Sequence, residues 1–341
     1  MAHLIAEFLS GSGVREAKAL IERSGLSFED GFDEMFGIYE SGHLVAAGAR
    51  AGNILKMLAV EPSHQGGPIL GELVTSLVNR GRAAGHKSLF VYTKPEYATS
   101  FEALNFALLA SQGKVALLEY GDGLASWLEA NRASLRTGSA GAVVMNCNPF
   151  TNGHRYLVET AASQVDVLYL FVVREDRSVF PFDVRFRLVK EGVRDLRNVV
   201  VLDSAQYIVS GATFPTYFLK QDDPVARIQM ELDVTLFGSR IAPFFGITRR
   251  FVGTEPCCPL TGGYNEAMKR ILPGFGLEVV EIARKEVSSG VISASRVREL
   301  VGLNELSRLQ EFVPESTRAY LLSDEAEPIR KELQMMIGVK K

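Results

Sequence analysis

The alternation of short apolar runs with amphipathic segments after residue 140 constrains the fold of this chain more than any other feature. Apolar runs suited to strands lie at 142–146, 167–173 and 199–202, and segments with helical spacing lie between them at 152–163 and 183–196. Strands that alternate with helices are typical of a parallel sheet with crossover helices. Such sheets bind ligands at the carboxyl ends of their strands, so the turn after the first strand is the place to look for a site. The pattern continues with predicted strands at 250–253 and 277–282, a predicted helix at 263–271 and a helical region from Ser295 onward.

The chain before residue 134 predicts a separate mixed α/β unit. At 341 residues the chain is longer than most single domains, so two domains are expected. A polar, glycine-rich stretch at 134–141 marks the boundary, which gives predicted domains at 1–134 and 140–341. In the first domain helices are predicted at 14–24, 98–105 and 124–133, strands at 35–40, 44–50 and 88–93, and a strand–turn–helix at 54–82.

Charge and composition exclude several classes of function. The chain has 37 basic and 40 acidic residues and a formal charge of −3, which does not favour a nucleic acid as partner. No apolar stretch reaches the roughly 18 residues that a membrane helix needs, and the short apolar patch near the first residue has no basic leader, so a cytoplasmic location is expected. The three cysteines, Cys147, Cys257 and Cys258, lack the spacing of a zinc or redox site, and no metal ligand is predicted.

The sequence NPFTNGH at 148–154 lies between the first predicted strand of the second domain and a predicted helix. Backbone N–H groups at a helix start are unpaired, so a phosphate is their natural ligand. Gly153 lets a phosphate or sugar approach the backbone closely, and Thr151 and His154 share one face of the first turn. An imidazole there can donate a hydrogen bond to a phosphoryl oxygen in a transition state. Taken alone, the segment is equally compatible with a surface helix start that carries a histidine.

The sequence ISASRVR at 292–298 predicts a second helix start with polar side chains. Ser293 and Ser295 can hydrogen-bond a triphosphate, and Arg298 lies one turn beyond Ser295, where it can neutralise the β- and γ-phosphates. Taken alone, the same string is an ordinary capping serine followed by a basic, solvated helix face.

Together the two segments resemble the T/HxGH and ISxSxxR signatures of the nucleotidyltransferase superfamily, in the correct order. The resemblance implies a Rossmann-like domain that catalyses attack on the α-phosphate of ATP and releases pyrophosphate, with Mg²⁺ as an expected companion of ATP. It implies catalytic roles for His154, Thr151 and Arg298. It also implies ATP-binding positions at Asn148, Phe150, Gly153, Gly253, Thr254, Ser293 and Ser295.

Two further segments are candidates for contact with the substrate. Arg174 and Arg177 follow the second predicted strand and can meet an anionic substrate, although solvated loop charges explain them equally well. The aromatic-rich stretch at 210–220 can form a wall of the acceptor pocket, although such clusters are more often part of a core.

The first domain resembles the GCN5-related N-acetyltransferases. The resemblance rests on LAVEPSHQGGPIL at 58–70 and SFEALNF at 100–106, where Gln65 and Gly66 match the turn that holds the pyrophosphate of coenzyme A. Pro68 and Leu70 occupy positions that small residues fill in that family. Because proline lacks an N–H donor and leucine crowds the approach, the expectation is an acetyltransferase-like α/β domain without ordinary acetyl-CoA binding.

An acetyltransferase-like domain followed by a TxGH nucleotidyltransferase domain resembles the citrate lyase ligases. The resemblance implies that acetate and ATP form acetyl-adenylate, and that the acetyl group then passes to the thiol of the phosphoribosyl-dephospho-coenzyme A arm on the citrate lyase acyl carrier subunit. The first domain is then expected to help dock the carrier or its arm. The alternatives are an adenylyltransferase for a phosphopantetheine or mononucleotide acceptor, a non-catalytic nucleotide-binding module, and a working acetyltransferase in the first domain.

Overall fold

The computed structural model describes residues 4–8, 11–174, 178–210, 224–255, 259–287 and 290–338. Contacts within the chain divide it into two compact units, Met1–Ser126 and Trp127–Lys341, and the division falls inside a helix, Gly123–Ala130. The domain limits drawn from the sequence, 1–134 and 140–341, stay a prediction about which parts fold independently.

The first unit is built on a seven-stranded mixed sheet with the order β1-β2-β3-β4-β5-β7-β6. The pair β4–β5 is parallel, and the other neighbours are antiparallel. Met35 and Phe36 are consecutive on β2, and they contribute to two different core clusters, because successive side chains of a strand point to opposite faces. Helix α1 packs in the cluster that contains Met35, and helix α2 packs in the cluster that contains Phe36. The bounds are β1 Leu4–Phe8, α1 Ser12–Arg23, β2 Glu34–Glu40, β3 His43–Ala51, β4 Ile54–Val60, α2 Ile69–Ala83, β5 Leu89–Thr93, α3 Ala98–Glu102, β6 Phe106–Gln112, β7 Val115–Tyr120 and α4 Gly123–Ala130.

The second unit contains a five-stranded parallel sheet with the order β10-β9-β8-β11-β12. The chain starts in the middle strand, runs outward to one edge and returns to the other side of the same strand. The switch point therefore lies between β8 and β11, and this confirms the predicted Rossmann-like α/β fold. The bounds are β8 Ala140–Met145, α5 Asn152–Ala162, β9 Val167–Val172, α6 Phe182–Gly192, β10 Val199–Asp203, α7 Pro224–Leu236, α8 Ala242–Phe245, β11 Ile247–Gly253, α9 Pro259–Ile271, β12 Glu278–Ile282, β13 Glu286–Val287, β14 Gly290–Val291, α10 Ala294–Gly302, α11 Glu315–Leu322 and α12 Glu327–Gly338.

The two faces of this sheet carry different layers. Phe251 on β11 packs into the core that α5 and α10 share, together with Val158 and Val297. The preceding residue, Arg250, has its guanidinium 4.7 Å from the ring centroid of Phe237, which follows α7. The α5 and α10 layer and the α7 and α9 layer thus cover opposite faces. Within the described part of the chain, no helix is long and apolar enough to cross a membrane.

Candidate active site

A cleft of about 790 Å³ opens at the carboxyl ends of β8, β11 and β12. The first turns of α5 and α10 form part of its wall, so the two segments singled out in the sequence face one space although 137 residues, 155–291, separate them. This is the switch-point position at which open α/β sheets bind their ligands. Helix starts carry unpaired N–H groups and partial positive charge, which makes this wall suited to phosphate.

Thr151 and His154 form a reciprocal cap at the start of α5. The backbone N–H of His154 donates to Thr151 Oγ1 at 3.2 Å, and the backbone N–H of Thr151 donates to His154 Nδ1 at 3.0 Å. Thr151 is almost fully buried. Its hydroxyl is therefore committed to shaping the helix start, and it fixes the position of the histidine.

The same cap determines where His154 carries its proton. A backbone N–H can only donate, so Nδ1 must accept, and the neutral ring carries its hydrogen on Nε2. Burial, followed by the positive charge of Arg284, lowers the pKa of His154 to about 4. Near neutral pH the residue is consequently an uncharged hydrogen-bond donor on the cleft wall.

Phe150 supports this ring from below. Its side chain is fully buried and stacks on His154 with a centroid separation of 5.9 Å and an interplanar angle of 14°. It also packs against Gly192, where even a β-carbon would lie 2.5 Å from the phenyl ring. The aromatic side chain lies in the core under the imidazole, and Phe150 is not among the residues that line the cleft. Its predicted contact with ATP stays a prediction.

The second segment is connected directly to the first. Ser293 caps α10 by accepting from the backbone N–H of Arg296 at 3.2 Å. Arg298 donates to Ser295 Oγ at 3.0 Å through Nη2 and to the backbone carbonyl of Asn148 through Nη1. Burial lowers the pKa of Arg298, which nonetheless stays cationic at neutral pH. One guanidinium thus joins the two halves of the wall.

Gly153 makes the close approach of these halves possible. A β-carbon at this position would lie 3.1 Å from the backbone oxygen of Ile292, which precedes the cap of α10. The backbone of one motif therefore touches the backbone of the other. Asn148 also uses its side-chain Oδ1, which accepts from the backbone N–H of Phe180 at 3.1 Å.

The strands β11 and β12 supply the remaining wall. Gly253 ends β11, and its carbonyl accepts from Asn265 at 2.9 Å. Thr254 continues the pairing with β12 through a bond to the carbonyl of Ile282 at 3.0 Å. Its own carbonyl accepts from Arg284 Nε at 2.8 Å, and its hydroxyl accepts from the backbone N–H of Arg284 at 3.3 Å. Thr254 therefore holds Arg284 in place.

Sequence reasoning missed the charges that Arg284 brings to the cleft. Arg284 forms an ion pair with Glu255, and Lys285 lies 5.7 Å from the ring centroid of Tyr156. All four side chains line the cleft. The predicted strands did contain a signal for these residues. Glu255 follows β11 and Arg284 follows β12, and the carboxyl ends of both strands lie at the same edge of the sheet as the end of β8, which His154 follows.

A buried arginine that the sequence reading also missed ties the strand ends together. Arg185 on α6 is fully buried and donates to the carbonyls of Asn146 at 2.8 Å, Val173 at 2.7 Å and Phe180 at 2.9 Å. These carbonyls follow β8 and β9. Arg185 therefore holds the loops from which the first segment starts.

The remaining predicted residues lie elsewhere or outside the described ranges. The guanidinium of Arg174 pairs with Asp203 at 2.5 Å and lies 4.4 Å from the ring centroid of Phe182. Its role toward a substrate stays a prediction. Arg177 and the stretch 211–220 lie outside the described residues, as do Cys257 and Cys258. The remaining cysteine, Cys147, is buried, and burial raises the pKa of its thiol.

The charge balance of the cleft favours a polyanion. Arg284, Lys285 and Arg298 contribute positive charge, and Glu255 is the carboxylate among the described lining residues. Within the described ranges there is no group of three or more His, Cys, Asp or Glu side chains able to hold a metal ion by themselves. Mg²⁺ commonly binds through substrate phosphates plus one or two carboxylates, so this set fits a metal that arrives with a triphosphate.

Comparison with known proteins assigns the family. The family model for the citrate lyase ligase C-terminal domain matches residues 140–321. The "[Citrate [pro-3S]-lyase] ligase" of Klebsiella pneumoniae is 42% identical over 292 residues, which cover 82% of this chain and 84% of that protein. The protein of the same name from Escherichia coli strain K12 is 38% identical over 314 residues, covering 90% and 89%.

Two partial similarities complete the comparison. A phosphopantetheine adenylyltransferase of Streptococcus sanguinis is 42% identical over 59 residues, which cover 17% of this chain and 36% of that protein. The crystal structure of Escherichia coli ElaA covers 35% of this chain and 99% of its own at 11% identity, with a TM-score of 0.31. Three relatives that each cover at least 82% of this chain are named as [citrate [pro-3S]-lyase] ligases, and the chain belongs to the citrate lyase ligase family.

Proposed function

We propose that this protein is an ATP-dependent ligase that activates acetate and acetylates the thiol of the prosthetic arm on the citrate lyase acyl carrier subunit. The observation that carries the proposal is the convergence of two helix starts on one cleft, with His154 as a neutral donor and Arg298 bridging the two. The names of the relatives supply the acceptor, and the geometry supplies the means of adenylation.

The first step is adenylation of the carboxylate. One carboxylate oxygen of acetate forms a bond to the α-phosphorus of ATP, and the bond from that phosphorus to the bridging oxygen breaks with its electron pair leaving on pyrophosphate. No proton is transferred in this step, so a histidine that donates a hydrogen bond and stays neutral suits it. We assign to His154 Nε2–H the stabilisation of the charge on the α-phosphoryl oxygens.

The leaving pyrophosphate needs positive charge and donors. Ser293, Ser295 and Arg298 at the start of α10 offer both, and Arg284 and Lys285 add charge on the neighbouring wall. Mg²⁺, when bound with ATP, would neutralise phosphate charge further, and Glu255 is the side chain of the described lining that can contact it. Positioning and neutralisation account for most of the catalysis in phosphoryl transfer.

The second step transfers the acetyl group to sulfur. The thiolate of the prosthetic arm attacks the carbonyl carbon of acetyl-adenylate, a C–S bond forms, and the C–O bond to AMP breaks. The arm has to reach the same cleft after pyrophosphate leaves. As expected from the sequence, we assign the docking of the carrier or its arm to the first unit, whose turn with Pro68 is ill suited to an independent acetyl-CoA site.

Isotope exchange between pyrophosphate and ATP tests the proposal. Exchange should require acetate and should be unaffected by phosphopantetheine, and acetyl transfer should be seen only when the loaded citrate lyase carrier is added. Exchange that depends on phosphopantetheine instead of acetate would assign the chain to the adenylyltransferases.

A further inference from the structure

Arg250 is a buried cation in the middle of β11. The residue is 3% exposed and pairs in register with Ala142 of β8 and Val279 of β12. It nevertheless belongs to the lining of the cleft. Its neighbour on the strand, Arg249, is instead only partly buried and pairs with Glu278 at 3.0 Å. Burial of only one of the two arginines calls for a physical reason.

The surroundings of Arg250 balance its charge but leave a donor unused. The nearby carboxylate of Asp233 is fully buried and already accepts from the backbone N–H of Val209 at 2.8 Å and from the hydroxyl of Tyr264 at 2.5 Å. Burial lowers the pKa of Arg250 to about 10, although the electrostatic interactions with Tyr264 and Asp233 act to raise this pKa. The guanidinium is therefore charged at neutral pH.

The unused donor is Nη1. Among the residues that the structure describes, this buried nitrogen has no hydrogen-bond partner. Arg185 shows the contrast, because it is equally buried and its Nη1 donates to two backbone carbonyls. An unpaired donor on a buried charge is costly, and a group that satisfies it gains correspondingly.

The walls near Arg250 select the kind of ligand. The side chains of Val144, Val252, Leu260 and Met268 line the cleft together with Arg250, and they are apolar. Triphosphate oxygens have their own donors at the two helix starts. A ligand that combines one negative charge with a small apolar group matches the inner part of the cleft, and acetate has this composition.

We propose that the guanidinium of Arg250 binds one carboxylate oxygen of acetate where this side chain lines the cleft, and thereby selects a small monocarboxylate as the substrate. This inference rests on the proposed function and names the residue that holds its acceptor. Contact with only one oxygen leaves the second carboxylate oxygen available to attack the α-phosphorus. The bound methyl group then faces apolar side chains, where a charged or longer substituent would be disfavoured.

The experiment measures acetate-dependent ATP–pyrophosphate exchange for Arg250→Met, with Arg249→Met as the matched control on the same strand. Loss of a hydrogen bond to a charged group should raise the KM for acetate at least about tenfold in the first variant. The KM for ATP and the binding of α,β-methylene-ATP should stay near wild type in both. Arg250→Lys, which keeps the charge and protects folding, should also raise the KM for acetate.

The possible results separate the two proposals. Acetate-dependent exchange in the wild type, with an unchanged KM for acetate in both Arg250 variants, would overturn the role of Arg250 and leave the ligase proposal intact. Absence of any acetate dependence in the wild type would instead overturn the ligase proposal. If Arg250→Met does not fold, the test uses Arg250→Lys alone. Its KM for acetate is then compared with wild type, and both proteins are titrated with ¹³C-acetate. Equal acetate affinity in the two proteins would contradict the inference.

Discussion

At the scale of single residues, the chemistry depends on where the proton of His154 lies. The backbone N–H of Thr151 occupies Nδ1, and Phe150 stacks under the ring. The imidazole is thus held in one tautomer and one orientation before any ligand arrives. Preorganised donors of this kind stabilise developing charge without reorganising during the reaction.

Removal of the His154 ring should therefore stop adenylation without unfolding the protein. His154→Ala is expected to lower acetate-dependent exchange by about 10²- to 10³-fold, the usual effect of deleting a transition-state donor. His154→Gln, whose amide can still donate, should retain part of the activity. Thermal unfolding of each variant is the control, and near-normal exchange in a folded His154→Ala protein would refute the role.

The depressed pKa of His154 predicts an unusual pH profile. Because the neutral ring is the working form and its pKa is about 4, exchange should show no step at the ordinary histidine value and should persist to about pH 5. An NMR titration of the His154 ring, assigned with His154→Gln, measures the same property. A ring pKa near 6.5 would contradict this prediction.

The same shift has a consequence for stability. Between its unfolded value and about 4, His154 binds a proton in the unfolded chain and not in the folded one, so stability falls as pH drops through this window. Urea unfolding at pH 7 and pH 5 should show a larger loss for the wild type than for His154→Gln. Equal losses in the two proteins would exclude the linkage.

At the scale of elements, the site is a contact between two helix starts. Gly153 at the start of α5 lies against the backbone before α10, and Arg298 on α10 reaches back to the carbonyl of Asn148. Neither helix start is complete alone. The spacing between them sets the distance between the donor for the α-phosphate and the donors for the leaving group.

Gly153→Ala tests this spacing. The added carbon would lie 3.1 Å from the Ile292 backbone oxygen, so α10 must move by a few tenths of an ångström. We expect a higher KM for ATP, slower exchange and a loss of about 1–3 kcal/mol in unfolding free energy, as for other overpacked contacts. Gly274→Ala is the matched control, since nothing lies within 4 Å of its β-carbon. Equal behaviour of the two variants would argue against a spacing role.

The helices and strands also show how much of the fold local sequence patterns can predict. The helices with polar starts and the buried strands β8 and β9 were predictable, because their periodicity and capping residues are local. The hairpin β6–β7 and the helix α7 were not predicted. In β6, apolar and polar residues do not alternate clearly, so its sequence alone does not indicate a strand. Two of the later elements begin earlier than predicted: β11 begins at Ile247 and not at residue 250, and α9 begins at Pro259 and not at residue 263.

The site was predictable to the extent that it is encoded in contiguous residues. The segments 148–154 and 292–298 were singled out from the sequence, and residues of both line the cleft. Arg249 and Arg250 are indistinguishable in sequence, yet the first is partly exposed and the second buried, because alternate faces of β11 meet different layers. The pair of Glu255 and Arg284 likewise depends on two strands becoming neighbours.

At the scale of the whole molecule, we assign the chemical steps and the docking of the carrier to two units with separate cores. Gly66 belongs to the turn before α2 and has a φ of 78°, a conformation that a β-branched residue tolerates poorly. Gly66→Val should reduce acetyl transfer to the carrier, while acetate-dependent exchange stays within about twofold of wild type, as expected for a change confined to the first unit. Gly113→Val, at a turn glycine with a φ of 57°, is the control for strain in the same unit. Equal transfer by both variants would exclude a docking role for the turn of Gly66.

The bond from Arg298 to the carbonyl of Asn148 also has a consequence for synthesis of the chain. The ribosome makes residue 148 long before residue 298, so a nascent chain carries the histidine of the first segment without the arginine that closes the wall. Such a chain lacks half of the wall to which we assign triphosphate binding, so we expect it not to turn over ATP. On the proposed function, activity therefore appears only late in translation, after Arg298 has been made.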